Sequence, residues 1–171
     1  MRIVVVRHGI AEDREAFART GQPDEARPLT RKGRRRMRRT ARGLRDVAPR
    51  IDVVASSPLA RARETADILA DAFGRGEGSV TLSALVPDAP LAYARDWLNT
   101  QRPDAAIALV GHEPHLSRVV GWLLSGQEHA FTELTRGGAC LLECDAPVSP
   151  GAVRLDWLLR AGQLRRLRQR R

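Results

Sequence analysis

The sequence has little of what marks a secreted, disulfide-held or membrane-spanning protein. It contains two cysteines, Cys140 and Cys144. If Leu141 and Leu142 lie between them in a strand, the pair stands about 13 Å apart, beyond the ~7 Å that a disulfide can span. No other cysteine pair or finger-spaced histidines accompany them, so both read as buried apolar thiols and no zinc site is expected. The apolar runs, such as residues 3–6 and 122–124, fall far short of the ~20 residues needed to cross a bilayer. The first of these is also shorter than a signal-peptide core, so the N-terminus reads as mature and the protein as cytoplasmic. Seven aromatic residues and a single lysine, Lys32, complete the list of scarcities.

What is present is an ordinary globular composition: 171 residues, 43% hydrophobic and 29% charged. That length fits one domain, taken as residues 1–171 with a basic tail over 163–171. The net charge of +9 raises nucleic acid as a partner, but the distribution of charge has to be weighed first. Nine basic residues lie between Arg31 and Arg45 with no acidic residue among them, and seven lie between Arg154 and Arg171. Few aromatics are available for base stacking, and the arginine runs match no nucleic-acid motif. A solvated face is one reading of these runs, and electrostatic steering of an acidic partner is the other.

Short apolar runs alternate with helical patterns, as in an α/β domain with a largely parallel sheet. Strands are expected at residues 3–6, 52–55, 106–110 and, more weakly, 80–82. Thr30 is suited to cap a helix whose Met37, Ala41 and Leu44 share one face. Ser57 as N-cap with Pro58 at the first helical position opens another, with Ala62, Ala66, Leu69, Ala70 and Phe73 as its buried stripe. Helices are also expected near 91–101 and from Pro114 to the stop at Gly126, the second with Leu116, Val119, Val120, Leu123 and Leu124 facing the core. Residues 139–144 and 153–158 read as an antiparallel pair at the sheet edge. Residues 12–27 show no period and are expected to form an irregular loop.

Three of these strands end in polar groups of one kind: Arg7-His8-Gly9, Ser56-Ser57-Pro58-Leu59-Ala60-Arg61 and Gly111-His112-Glu113-Pro114. In an open parallel sheet, ligands bind beyond the carboxyl ends of the strands, so these segments should converge. Two guanidinium groups answer the oxygens of a phosphoryl group with planar paired donors. One imidazole can serve as a nucleophile and the other as a donor to the equatorial oxygens. Gly9 and Gly111 would let the backbone approach the ligand closely. The segment His112-Glu113-Pro114-His115 is one residue too short for the zinc-binding His-Glu-x-x-His spacing and is interrupted by proline.

Taken in order, Val6-Arg7-His8-Gly9, Pro28-Leu29-Thr30 with Gly33, Ser57-Pro58-Leu59-Ala60-Arg61-Ala62 followed by Glu64-Thr65-Ala66, and Val110-Gly111-His112 resemble the histidine phosphatase superfamily. That is the group related to cofactor-dependent phosphoglycerate mutases, and within it the short chain most resembles the SixA phosphohistidine phosphatases. The resemblance covers roughly residues 1–125. It implies a three-layer α/β/α phosphoglycerate mutase-like domain with a mostly parallel sheet and an antiparallel edge. It also implies a monomer that needs no metal or other cofactor. His8 matches the family nucleophile, and Arg7, Arg61 and His112 match the phosphate-binding residues, with Gly9 beside them. Arg63 and His115 fall off the motif positions and are read as helix-surface or rim residues.

The general acid is where the chain departs from larger relatives, which present a carboxylate from a longer mid-chain insertion. Here the stretch is only Leu85-Val86-Pro87-Asp88-Ala89-Pro90. Asp88 is the available acid or, alternatively, a cap for the next helix; Glu12 and Asp13 are other candidates. An imidazole leaving group needs less acid assistance than an alkoxide. The leading expectation is therefore a phosphohistidine-bearing protein as substrate. A small phosphomonoester is the alternative, and a non-catalytic basic nucleic-acid module is a third reading.

Overall fold

Alternating side chains of one short strand feed two cores. In β1 (Arg2–Arg7) of this computed structural model, Ile3 and Val5 point to one face of the sheet and Val4 and Val6 to the other, all fully buried. A strand covered on both faces must be apolar throughout rather than alternating, which explains the unbroken run at residues 3–6. The structure describes residues 1–48, 50–76 and 78–167.

β1 lies inside a six-stranded sheet of order β3-β2-β4-β1-β5-β6. β2 (Val53–Ser56), β3 (Val80–Thr81) and β4 (Ala106–Gly111) are parallel to β1 in their pairings. β5 (Ala139–Glu143) runs antiparallel to β1, and β6 (Arg154–Leu159) closes the edge antiparallel to β5. Cys140 and Cys144 are free, buried thiols, and burial pushes the Cys140 thiol up to about 12.

Helices α2 (Arg31–Leu44), α3 (Ala60–Ala72) and α6 (Ala161–Leu167) cover one face, burying Met37, Ala41, Leu44, Ala66, Leu69 and Leu164 against Val4, Val6, Val54 and Val110. Helices α4 (Leu91–Asn99) and α5 (His115–Ser125) cover the other face, with Leu98, Leu116, Val119 and Leu123 against Ile3, Val5, Ile107 and Leu109. The arrangement is the expected three-layer α/β/α fold. Thr30 caps α2 as anticipated, its Oγ1 accepting from the Gly33 amide at 2.8 Å. Gly126 ends α5 in the left-handed region at φ 77°, a conformation open to glycine without steric cost.

Two local expectations need correction. Residues 12–27 hold a five-residue helix, α1 (Arg14–Ala18), capped by Asp13, and a 3₁₀ turn at Asp24–Ala26. Neither buries a residue, so no apolar period could betray them. Helix α3 begins at Ala60 with Leu59 as its cap residue; Ser57 and Pro58 precede it because the Ser57 amide still follows the sheet, donating to the Val110 carbonyl at 3.0 Å. Of the basic tail, residues 163–167 belong to α6 and 168–171 lie outside the described residues. No helix among the described residues is long and apolar enough to cross a membrane.

Candidate active site

Strand register brings the three polar strand ends level. β1 pairs with β4 so that Arg7 is opposite Gly111, and β2 pairs with β4 so that Ser56 is opposite Val110. Just beyond the sheet, the His8 amide donates to the Gly111 carbonyl at 3.1 Å. The consequence is a pair of facing imidazoles: the rings of His8 and His112 have centroids 5.1 Å apart, tilted by 52°.

The His8 ring is oriented by its own neighbour. Its Nδ1 lies 2.7 Å from the Gly9 carbonyl oxygen. A carbonyl can only accept, so Nδ1 carries the hydrogen and, in the neutral ring, Nε2 holds the free lone pair. Burial lowers the His8 pKa to about 4; the Gly9 bond opposes this, and the charges of Arg61, Arg7 and Arg27 add to it. The ring is therefore neutral at pH 7. Gly9 is held in turn: its amide donates to Thr65 Oγ1 at 3.0 Å, and that hydroxyl donates to the Arg61 carbonyl at 2.7 Å. With both backbone groups engaged, Gly9 positions the imidazole rather than offering the free amide that a phosphate-binding glycine would supply.

His112 is 3% exposed, and its Nε2 lies 2.9 Å from Ser57 Oγ. Its Nδ1 is buried with no partner among the described residues. If the Ser57 hydroxyl donates to Nε2, Nδ1 carries the hydrogen and becomes a donor seeking an acceptor. Burial lowers this pKa to about 3, with smaller contributions from His8 and Arg61.

Both expected arginines are anchored through one end of the guanidinium. Arg61, 5% exposed, donates through Nη1 to the Asp24 carbonyl at 2.9 Å and pairs Nη2 with Asp24 Oδ2 at 3.1 Å. Arg7 Nη1 donates to the Leu134 carbonyl at 2.6 Å and to Glu133 Oε1 at 2.9 Å. The Nε of each is buried without a partner among the described residues. Buried donors are nearly always satisfied, so Arg7 Nε, Arg61 Nε and His112 Nδ1 are each donors still lacking an acceptor among the described residues.

Several neighbours escaped the sequence reading. Arg27 is near enough for its charge to act on His8 and Arg61, and its Nε donates to Asp24 Oδ1 at 2.7 Å. That hydrogen bond, opposed by burial, leaves the Asp24 carboxyl below its ordinary range. Both residues sit in the segment without periodicity, where the only available sign was the Asp-x-x-Arg spacing of Asp24 and Arg27. Ser57 was assigned to a helix cap when its hydroxyl serves His112. Glu113 Oε1 accepts from the Leu134 amide at 3.1 Å, so it braces the carbonyl that holds Arg7.

Asp88 lies apart from this set. It is exposed on the segment before α4 and has no hydrogen bond or ion pair among the described residues to either site histidine or either site arginine. Nor does it cap α4, whose cap residue is Pro90. Glu12 is exposed, and Asp13 is spent on capping α1. Arg63 is exposed as expected, but His115 is fully buried, its Nε2 lying 3.0 Å from the Ala84 carbonyl oxygen. The rim reading of His115 fails because the first turn of α5 packs inward against the segment around Ala84.

A mostly parallel sheet at whose strand ends two imidazoles face each other, with the anchored guanidiniums of Arg7 and Arg61 beside them, defines a phosphoryl-handling α/β enzyme. The model of the histidine phosphatase superfamily (branch 1) matches residues 3–84. A protein of unassigned function from Picosynechococcus sp. is 36% identical over 140 residues, covering 81% of this chain and 82% of its own length. The chain belongs to the histidine phosphatase superfamily and is a phosphatase. Its fold is similar to that of the protein histidine phosphatase SixA complexed with tungstate, with TM-score 0.81 at 23% identity over 96% of this chain and 99% of that one. It is also similar to a mycobacterial glucosyl-3-phosphoglycerate phosphatase, with TM-score 0.68 at 19% identity over 91% and 96% of the two chains.

Proposed function

We propose that this phosphatase hydrolyses phosphohistidine on proteins through a phosphorylated His8. Nε2 of the neutral ring attacks phosphorus in line as the N–P bond of the substrate breaks, and the departing imidazole takes its proton from solvent. Arg7, Arg61 and Arg27 neutralise the charge on the equatorial oxygens, and His112 Nδ1–H donates to one of them. Water then attacks phospho-His8, releasing inorganic phosphate and restoring the imidazole.

The observation that carries the choice of substrate concerns acid groups. Of the carboxylates hydrogen-bonded around the two histidines, Asp24 is held by Arg61 and Arg27 and Glu133 by Arg7, while Glu113 accepts from the Leu134 amide through Oε1 and keeps a buried Oε2 without a partner among the described residues. A site whose carboxylates serve as counter-ions and acceptors suits a leaving group that protonates easily, as the imidazole of phosphohistidine does, better than an alkoxide. One observation favours a phosphomonoester instead. The turn that leads to Asp88 abuts the site, since a Cβ at Gly111 would lie 3.4 Å from the Leu85 carbonyl oxygen; Asp88 is therefore the acid we assign to ester hydrolysis.

The test compares kcat/KM for free phosphohistidine, a histidine-phosphorylated protein and phosphoserine, with chelator present. Labelled substrate should leave an acid-labile label on His8, and His8→Ala should lower turnover on the order of 10⁴-fold or more while staying folded. A preference for phosphoserine would transfer the assignment to the phosphomonoesterase reading. Label on another residue would remove His8 as nucleophile.

A further inference from the structure

Beside the site runs a groove of about 640 Å³ lined by Arg36, Arg136, Arg160, Arg165 and Arg166, with no acidic residue in its lining. None of the five has a carboxylate within 4.0 Å among the described residues. The Arg165 guanidinium is pushed below its usual range by burial and then by the charges of Arg36, Arg39 and Arg166. Five like charges gathered without a counter-ion oppose folding locally, so the cluster calls for a partner that supplies the missing charge.

The groove is a built surface. Helix α6 is seated on α2 by Leu164, which is fully buried, and Gly43 is in contact with the Leu164 carbonyl. The Arg160 amide is tied to Gln163 Oε1 at 2.8 Å. It is also continuous with the active site. Ile10, two residues after His8, is in its wall, as are Thr135 and Arg136, which directly follow the Leu134 carbonyl that holds Arg7. The same loop returns to the nucleophile, the Gly137 amide donating to the His8 carbonyl at 3.1 Å.

We propose that this groove docks the acidic face of the protein that carries the phosphohistidine, an inference that rests on the substrate reading above. A phosphohistidine presented to His8 brings its own protein surface against the rim, and the arginine groove is the part of the rim where an acidic surface meets unpaired positive charge. The lining has no aromatic side chain on which bases could stack, which favours a protein over a single-stranded nucleic acid. The arrangement also divides the basic helix. Arg36 faces this groove, whereas Arg38, Arg42 and Arg45 line a separate hollow with Ile68 and Asp71. Steering is thereby assigned to one flank of α2 and the start of α6, not to the whole arginine run.

The experiment uses the full chain and an acidic, histidine-phosphorylated phosphotransfer domain, with free phosphohistidine as the small substrate. Arg36→Glu with Arg165→Glu is compared with Arg38→Glu plus Arg42→Glu on the other flank, and thermal unfolding confirms that each pair is folded. An Arg36→Gln, Arg165→Gln pair guards against new ion pairs. The groove pair should lower kcat/KM on the protein by about tenfold or more at low ionic strength and flatten its salt dependence, because steering strengthens as screening falls. Turnover of free phosphohistidine and the behaviour of the other flank should stay near wild type. Equal loss from both flanks, equal loss on both substrates, or no loss would overturn the docking assignment while leaving the substrate reading intact. If the wild type turns over neither phosphohistidine substrate, the substrate reading fails. The groove is then judged by binding of the unphosphorylated domain, whose loss in the groove pair alone supports it and whose indifference overturns it. Duplex oligonucleotide bound through the groove arginines in place of the acidic domain would reassign the surface to nucleic acid.

Discussion

His8 and His112 face each other at 5.1 Å between ring centroids, and each is fixed from behind, His8 Nδ1 by the Gly9 carbonyl and His112 Nε2 by Ser57 Oγ. Fixing one nitrogen of each ring leaves the other directed by geometry. The proximity also makes proton uptake by one ring costly for the other, which adds to the effect of burial on His112.

This pairing sets an expected pH dependence. An unfolded histidine titrates near 6.5, whereas burial lowers His8 to about 4 and His112 to about 3. Between those values the unfolded chain binds more protons than the native one, so stability should fall as pH drops from about 6.5 toward 4 and 3, with no contribution from these groups above 6.5. The kcat/KM profile, corrected for substrate ionisation, reports the free enzyme and should show no acid limb near 6.5. Histidine ring resonances followed by NMR provide the check. A His8 midpoint near 6.5 would contradict the neutral, desolvated nucleophile.

Ser57 acts through His112. Ser57→Ala should reduce kcat by about tenfold to hundredfold, the range typical of residues that orient a functional imidazole from behind. The distinguishing readout is the ring ¹⁵N spectrum of His112, which should show one tautomer in the wild type and a mixture in the variant. Unchanged nitrogen shifts alongside a lower kcat would mean that Ser57 contributes only to packing.

Most of this site was legible because its residues sit where local rules are strict. Arg7, His8, Ser57 and His112 leave apolar strands buried on both faces, and such runs identify themselves. Asp24 and Arg27 were illegible for the opposite reason: they belong to a segment held by capping and ion pairs, with no buried residue in either short helical piece. His115 was misread because a histidine in the first turn after a strand carries the same sequence signal at a rim as in a core; the Ala84 carbonyl that meets its Nε2 comes from 31 residues away. Gly9 and Ser57 do lie just beyond the strand ends, but Ser57 is not the helix cap it was read as, and the hydrogen-bond partners of the two, Thr65 and His112, depend on long-range packing that spacing does not encode.

Asp88 should discriminate between substrates. It is exposed and outside the hydrogen-bonded set, so it can act only when a bound substrate brings a leaving oxygen to it. Asp88→Asn is expected to lower kcat/KM on phosphoserine by about 10²-fold or more, the contribution of a positioned general acid, and to leave phosphohistidine nearly unaffected. Equal loss on both substrates, or loss on neither, would remove it from the chemistry.

The seating of α6 on α2 should be sensitive to a single methyl group. A Cβ at Gly43 would fall on the Leu164 carbonyl oxygen, and since that atom belongs to the backbone it cannot rotate away; α6 as a whole must move. Gly43→Ala would ordinarily favour a helix by about 1 kcal/mol, but overpacking of this kind costs about 1–3 kcal/mol, so the net expectation is a lower melting temperature and a smaller denaturant midpoint. The shift would also displace Arg165 and Arg166 from Arg36 while leaving the strand ends that hold His8 and His112 in place. Hydrolysis of free phosphohistidine should therefore survive under conditions where the variant is folded. If Gly43→Ala proves more stable than the wild type, helix propensity outweighs the contact, and α6 is held on α2 less tightly than the buried Leu164 side chain implies.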